Sequence, residues 1–168
     1  MHKKTRMLAR SAVTAALYVA LTVVSYPFSY GMVQFRISEI MTLLAWMDPS
    51  YIPGLLVGCA VANLLGTGGI VDVIFGTAAS AFAFAVMVLV RKIKKEKLSL
   101  FISSLAPALS SFIIAFEMRF ATGSEESFWL WFLWIAAGEF AVVTVLGCPI
   151  AMYLKKKNLL EIIKKEGR

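Results

Sequence analysis

The feature that most constrains this chain is where its charges are missing. Ser11–Gln34 and Val73–Val90 contain no Asp, Glu, Lys or Arg. A soluble bundle keeps a polar face on every helix, so uncharged runs of this length exclude that class. A helix that crosses the hydrocarbon core of a bilayer needs about 20 predominantly apolar residues. The charges are instead gathered into Met1–Arg10, Arg91–Lys97 and Lys155–Arg168. Hydrophobic residues make up 60% of the 168, and the mean hydropathy is +0.79. The sequence therefore predicts an all-α, polytopic membrane protein: one transmembrane domain over 1–168, built as a six-helix bundle.

The six spans are expected at about 6–28, 37–47, 50–65, 70–90, 98–118 and 127–154. Pro27 and Gly31 punctuate the end of the first, and Asp48-Pro49-Ser50 turns the chain after the second. Span two is short; as an α-helix its eleven residues rise about 16 Å, roughly half the hydrocarbon core. Spans two and three together read equally as one re-entrant hairpin. Gly147 and Pro149 predict a kink or tilt near the end of span six. Counting Lys and Arg orients the chain. One side receives 15 of them, and the other receives only Arg36 and Arg119. The 15-residue side is expected to be cytoplasmic, with both termini on it. The tail Lys155–Arg168 mixes basic and apolar residues, and reads either as an extension along the inner surface or as a solvated end.

The net charge of +7 does not point to nucleic acid, because the basic tracts flank apolar runs. Anionic lipid headgroups are their natural counter-charge. The opening basic residues and apolar run imitate a signal peptide. That run is long for one and no small-x-small cleavage site follows it, so it is read as a retained span. Cys59 and Cys148 lie in apolar stretches and read as small hydrophobes. No metal site is suggested.

Ionisable residues at membrane depth are costly and are functional candidates by default. On this topology Arg36 and Glu39 open span two at the outer side. Asn63 ends span three, Asp72 begins span four, and Glu117 and Arg119 close span five, all at the same side. Glu139 lies twelve residues into span six, about 18 Å along the helix. Four carboxylates from four helices thus gather in the outer half. A channel or proton relay needs polar groups through its full depth, whereas this pattern fits a pocket open to the outside and closed to the cytoplasm. Each residue also has a plainer account. Asp72 complements a helix start, Arg36 and Glu39 pair with each other, Glu117 and Arg119 face interfacial water, and Asn63 bonds a neighbouring helix. Four acids against two bases favour a cationic or donor-rich ligand.

Phe128, Trp129, Trp131 and Trp134 read mostly as an interface belt, with one or two available to stack on a flat ligand. Ala12, Ala16 and Ala20 recur every fourth residue, as do Gly54, Gly58 and Ala62. Such faces allow close approach; the second reads as packing inside the bundle, the first as a face for a partner. No nucleophile–base pair and no ATP-binding motif is present, so the chain is not expected to be an enzyme. A carrier driven by an ion gradient would use the carboxylates as coupling sites, and usually shows internal repeats, which this sequence lacks.

Val33-Gln34-Phe35-Arg36-Ile37-Ser38-Glu39 resembles the QueT family of queuosine-precursor transporters. So do Ile52-Pro53-Gly54-Leu55, Gly58-Cys59, Ala62-Asn63-Leu64-Leu65, Asp72-Val73-Ile74-Phe75-Gly76 and Gly138-Glu139. These transporters are S components of energy-coupling factor (ECF) importers. The resemblance spans about residues 7–155, with span five less typical. It implies a prokaryotic plasma-membrane subunit that binds a 7-deazaguanine, such as 7-aminomethyl-7-deazaguanine or queuine. It also implies a transmembrane coupling protein and two ATPases as partners, which use the ATP, and no cofactor of the chain's own. The positions that match its motifs are Glu139, Glu39, Asp72, Asn63, Arg36 and Gln34. With Glu117, read from its place in the outer half, and Trp129, read as an aromatic at the same level, they are the expected substrate contacts. Glu139 and Glu117 come first for the two acidic roles, followed by Glu39 and Asp72. The alanine ladder Ala12, Ala16 and Ala20 resembles the docking face toward the coupling module.

Overall fold

A computed structural model describes residues 3–30 and 33–157; most of the basic tail lies outside the described residues. Every regular element among them is helical. Helix α1 spans Lys3–Val24, and a short α2 spans Tyr26–Ser29. The first predicted span therefore breaks at Ser25, where the hydroxyl donates back to the Leu21 carbonyl (2.8 Å) just before Pro27. Next come a 3₁₀ segment, Ile37–Thr42, running directly into α3, Leu43–Met47. After the turn Pro49–Tyr51, α4 covers Ile52–Leu64, followed by α5, Ile70–Val90. Helices α6 (Glu96–Ser104) and α7 (Ala106–Phe116) form one bent span. Pro107 has no N–H to offer the Ser103 carbonyl, and the helix breaks there. Wide π-type turns extend α7 over Glu117–Ala121. Helix α8 (Phe128–Glu139) passes through another π stretch, Phe140–Gly147, into α9, Cys148–Lys156. The irregularity expected from Gly147 and Pro149 therefore begins earlier, directly after Glu139.

Among the described residues four helical stretches are long and apolar enough to cross a membrane: Lys4–Val24, Ile70–Val90, Glu96–Ala121 and Phe128–Lys156. Two shorter apolar ones, Ile37–Met47 and Pro49–Leu64, sit among them. The shorter of these is less stunted than its residue count implies. A 3₁₀ turn rises about 2.0 Å per residue against 1.5 Å for an α-turn. Large apolar side chains, Leu8, Val24, Ile70, Leu89 and Leu133 among them, point outward and are exposed. In water such a surface is an aggregation liability; in lipid it is the required solvent-facing surface.

Helix α1 packs on α4, α4 on α5, α5 on α7, and α7 on α8. Gly54 and Gly58 make the first contact possible. A Cβ on Gly54 would come within 2.6 Å of the Ser11 carbonyl oxygen, and one on Gly58 within 2.9 Å of Tyr18 Cβ. The ladder on α4 is thus spent on internal packing, as its spacing suggests. Ala12, Ala16 and Ala20 are on the other face of α1 and exposed.

The 3₁₀ segment threads between α1 and the stretch 140–147. The apolar core (Leu43, Trp46, Leu55, Phe84, Met87, Leu100 and Val143 among its members) fills one half of the bundle. The basic tracts converge at that end. Arg10 reaches Asp48 (3.6 Å), and Arg91 donates to the Met47 carbonyl (3.5 Å). Lys155 pairs with Glu96 (3.1 Å) and covers the Trp46 ring. Trp46 donates in turn to Ser99 (2.8 Å). The start of α1, the α3–α4 turn, the α5–α6 loop and the end of α9 therefore share one end, as the charge count requires.

Candidate functional site

The other half of the bundle holds a polar cavity of about 30 Å³. One wall comes from the 3₁₀ segment, its preceding loop and α8: Gln34, Arg36, Glu39, Thr42 and Glu139. The facing wall comes from α5 and α7 and is small or hydroxylated, with Gly76, Ala79, Ser80, Ala83, Ser110 and Ser111. The cavity has room for about one water. Small-molecule pockets run about 300–1,000 Å³, so a bicyclic ligand requires these walls to separate.

Backbone geometry brings the charged wall together. Gln34 adopts φ +47°, an uncommon left-handed conformation for a residue other than glycine. Its carbonyl accepts from Arg36 N (2.9 Å) in a tight turn, while Phe35 N donates to the Phe28 carbonyl (2.9 Å). This loop lies directly on α8. A Cβ on Gly138 would sit 2.0 Å from the Val33 carbonyl oxygen, so only glycine lets the loop rest beside Glu139.

Arg36 and Glu39 do not simply satisfy each other. Arg36 Nη1 donates to Asn63 Oδ1 (2.7 Å) and Nε to the Ser29 carbonyl (3.1 Å), and its guanidinium lies 5.2 Å from the Tyr30 ring centre. Glu39 accepts from the Tyr18 hydroxyl on α1. Arg36 is in electrostatic reach of both Glu39 and Glu139. The buried Oε2 of Glu139 has no hydrogen-bond partner in the protein, an unmet acceptor of the kind a ligand satisfies.

The remaining marked positions lie elsewhere. Asn63 is 1% exposed and stands behind Arg36. Its Nδ2 donates to Cys59 Sγ (3.3 Å), whose sulfur meets Ser80 Oγ (3.1 Å). Asp72 and Glu117 are electrostatic neighbours; neither lines the cavity, and each keeps one buried oxygen, Asp72 Oδ1 and Glu117 Oε1, without a hydrogen-bond partner in the protein. Asp72 Oδ2 accepts from Gly68 N (3.0 Å). Trp129 is 69% exposed and packs edge-on against Phe128 and Phe132. Arg119 is exposed and donates to the Ser124 carbonyl (2.7 Å). Among the described residues no cluster of His, Cys, Asp and Glu could hold a metal ion.

The sequence pattern of the QueT transporter family matches residues 8–156. The chain belongs to that family. A relative from Lactococcus lactis subsp. cremoris (strain MG1363), named queuosine precursor transporter QueT, is 30% identical over 147 residues. That match covers 82% of this chain and 86% of the relative. No solved structure matches. Family membership and the apolar helices together make this a multi-pass membrane transport protein.

For a QueT-family chain the unforeseen polar residues are Thr42, Ser80, Ser110 and Ser111 on the cavity wall, and Tyr18, which stands behind Glu39. The serines give almost no sequence signal. A serine in a membrane helix commonly bonds its own preceding turn, as Ser110 Oγ does to the Pro107 carbonyl (2.8 Å). Tyr18 reads as one more aromatic in an apolar run; only its meeting with Glu39 across the bundle reveals a polar role.

Proposed function

We propose that this chain is the S component of an ECF-type importer. In this reading it binds a 7-deazaguanine, such as 7-aminomethyl-7-deazaguanine or queuine, from outside the cell. The observation that carries it is the grouping of Arg36, Glu39 and Glu139 around one cavity at membrane depth. Two carboxylates and one guanidinium carry a formal charge of −1 when ionised, which a monocationic aminomethyl base neutralises. Glu139, with its unmet acceptor, suits the ammonium or the donor edge of the ring. Glu39 takes the second acidic role, and Arg36 suits the ring carbonyl. The wall of small side chains suits a flat ring.

All six apolar helical stretches count as spans in this proposal. The end where the basic tracts converge faces the cytoplasm of a prokaryotic cell. The cavity then opens outward, and the apolar core closes it inward. The exposed face of Ala12, Ala16 and Ala20 is where the coupling protein docks, and two ATPases on that protein supply the energy.

The test is calorimetric titration of the purified chain with 7-aminomethyl-7-deazaguanine, followed by uptake into liposomes. Expected are tight binding by the chain alone, no uptake alone, and uptake once the coupling protein, the ATPases and ATP are added. Autonomous uptake driven by an ion gradient overturns the S-component reading. Ala16→Trp is expected to abolish assembly with the module while sparing ligand affinity; loss of both places that face inside the working bundle.

A further inference from the structure

Asn63 combines a polar side chain, near-complete burial and no share in the cavity wall. What it touches is Arg36. A guanidinium has five N–H donors in a fixed planar fork. Here Nη1 is taken by Asn63 Oδ1 and Nε by the Ser29 carbonyl, with the Tyr30 ring alongside. Committing those groups behind the cavity fixes the plane and direction in which the others face into it. Without them the side chain, with about 2 kcal/mol of rotamer entropy, has several ways to lie.

Asn63 is itself seated. Its Nδ2 donates to Cys59 Sγ (3.3 Å), and it packs onto Gly76 so closely that a Cβ there would sit 2.2 Å from Nδ2. The amide cannot turn over, because only its oxygen can accept from the guanidinium. Cys59 Sγ meets Ser80 Oγ (3.1 Å), and Ser80 and Gly76 both line the cavity. The bonds from Arg36 through Asn63 and Cys59 to Ser80 thus begin and end at the cavity wall.

We propose that Asn63, seated on Gly76, is a positioning residue that presents Arg36 to a ring carbonyl and so selects an oxo base over its amino counterpart. This rests on the reading of the cavity as a base-binding site. A fixed donor facing an exocyclic amine is left unpaired, and an unpaired buried donor is costly.

The test titrates the purified full chain with 7-deazaguanine and with 2,6-diamino-7-deazapurine, in which an amine replaces the carbonyl. Wild type is expected to favour the oxo base by about tenfold or more, a 1.4 kcal/mol difference. Arg36→Gln, Asn63→Ala and Gly76→Ala should each bring that ratio toward one. The double variant Arg36→Gln/Asn63→Ala should lose nothing further. Asn63→Asp, which keeps the acceptor for Nη1, should retain most of the ratio. An unchanged ratio in Asn63→Ala, or additive losses in the double variant, overturns the proposal. Thermal melts of ligand-free wild type, Arg36→Gln, Asn63→Ala and the double variant separate this from failure of the base-binding reading. If wild type binds neither base, that reading fails. The positioning role then stands on non-additive melting of Arg36→Gln and Asn63→Ala, and falls if their effects add.

Discussion

Two pairs of acids occupy the polar half of the bundle, and their surroundings differ sharply. Glu39 and Glu139 flank Arg36 at a cavity; Asp72 and Glu117 face each other away from it. On the helices the two sets are close. Asp72 precedes Gly76 by four residues on α5, and Glu117 follows Ile114 by three on α7, so each lies on its cavity-lining face, one turn nearer the end opposite the basic tracts. A single turn, about 5.4 Å, separates an acid set against a cation from an acid set against another acid. Both pairs leave buried acceptors without a partner in the protein: Asp72 Oδ1 and Glu117 Oε1 in one, Glu139 Oε2 in the other. Of these, only the Glu139 oxygen belongs to a side chain that lines the cavity. Depth along a shared face, more than residue type, decides which acid is available to a ligand.

The largest expected effect comes from the cavity pair. Glu139→Gln keeps the shape and removes the charge and one acceptor lone-pair set. Titration of the purified variant with 7-aminomethyl-7-deazaguanine should show affinity lowered by more than tenfold, or about 1.4 kcal/mol. A folded variant with unchanged affinity removes Glu139 from the site and dissolves the distinction between the pairs.

Glu117→Gln probes the other pair, and a smaller effect is expected. The amide keeps the size of the side chain and offers donors to the neighbouring Asp72 carboxylate. Affinity should change less than about threefold, and thermal stability by no more than about 0.5 kcal/mol. A loss equal to that of Glu139→Gln places both pairs on the ligand and breaks the comparison.

Much of this was legible in the sequence because the bilayer punishes exceptions. Uncharged runs mark the long spans, and the basic tracts that flank them do converge at one end. Arg36, Glu39 and Glu139 stood out because ionisable groups at depth are expensive, and Gln34 only through the family resemblance. Distances within the fold were not legible. Nothing in Ile37–Thr42 distinguishes a 3₁₀ turn from an α-turn, and nothing around Glu117 or Phe140 announces a π turn. Yet these set which way the acids point. Asn63 and Arg36 are 27 residues apart, and their hydrogen bond depends on the absence of a side chain at Gly76. Spacing along the chain carries no trace of such a triple contact.

Trp129 carries the smallest prediction. The sequence offers it as one aromatic of a group suited to stack on a flat ligand or to anchor the membrane interface. The fold puts it on the first turn of α8, 69% exposed, whereas the cavity takes from this helix only Ile135 and Glu139. Ile135 lies six residues farther along, about 9 Å of rise, so the indole does not reach the cavity as this structure stands. Interfacial tryptophans anchor a helix at headgroup level, and that role does not require contact with a solute. Trp129→Ala should therefore leave the affinity for 7-aminomethyl-7-deazaguanine within about twofold, by the same titration. A tenfold loss would mean that the start of α8 folds over the ligand when the walls part, which would extend the cavity pair's site to the end where Asp72 and Glu117 sit.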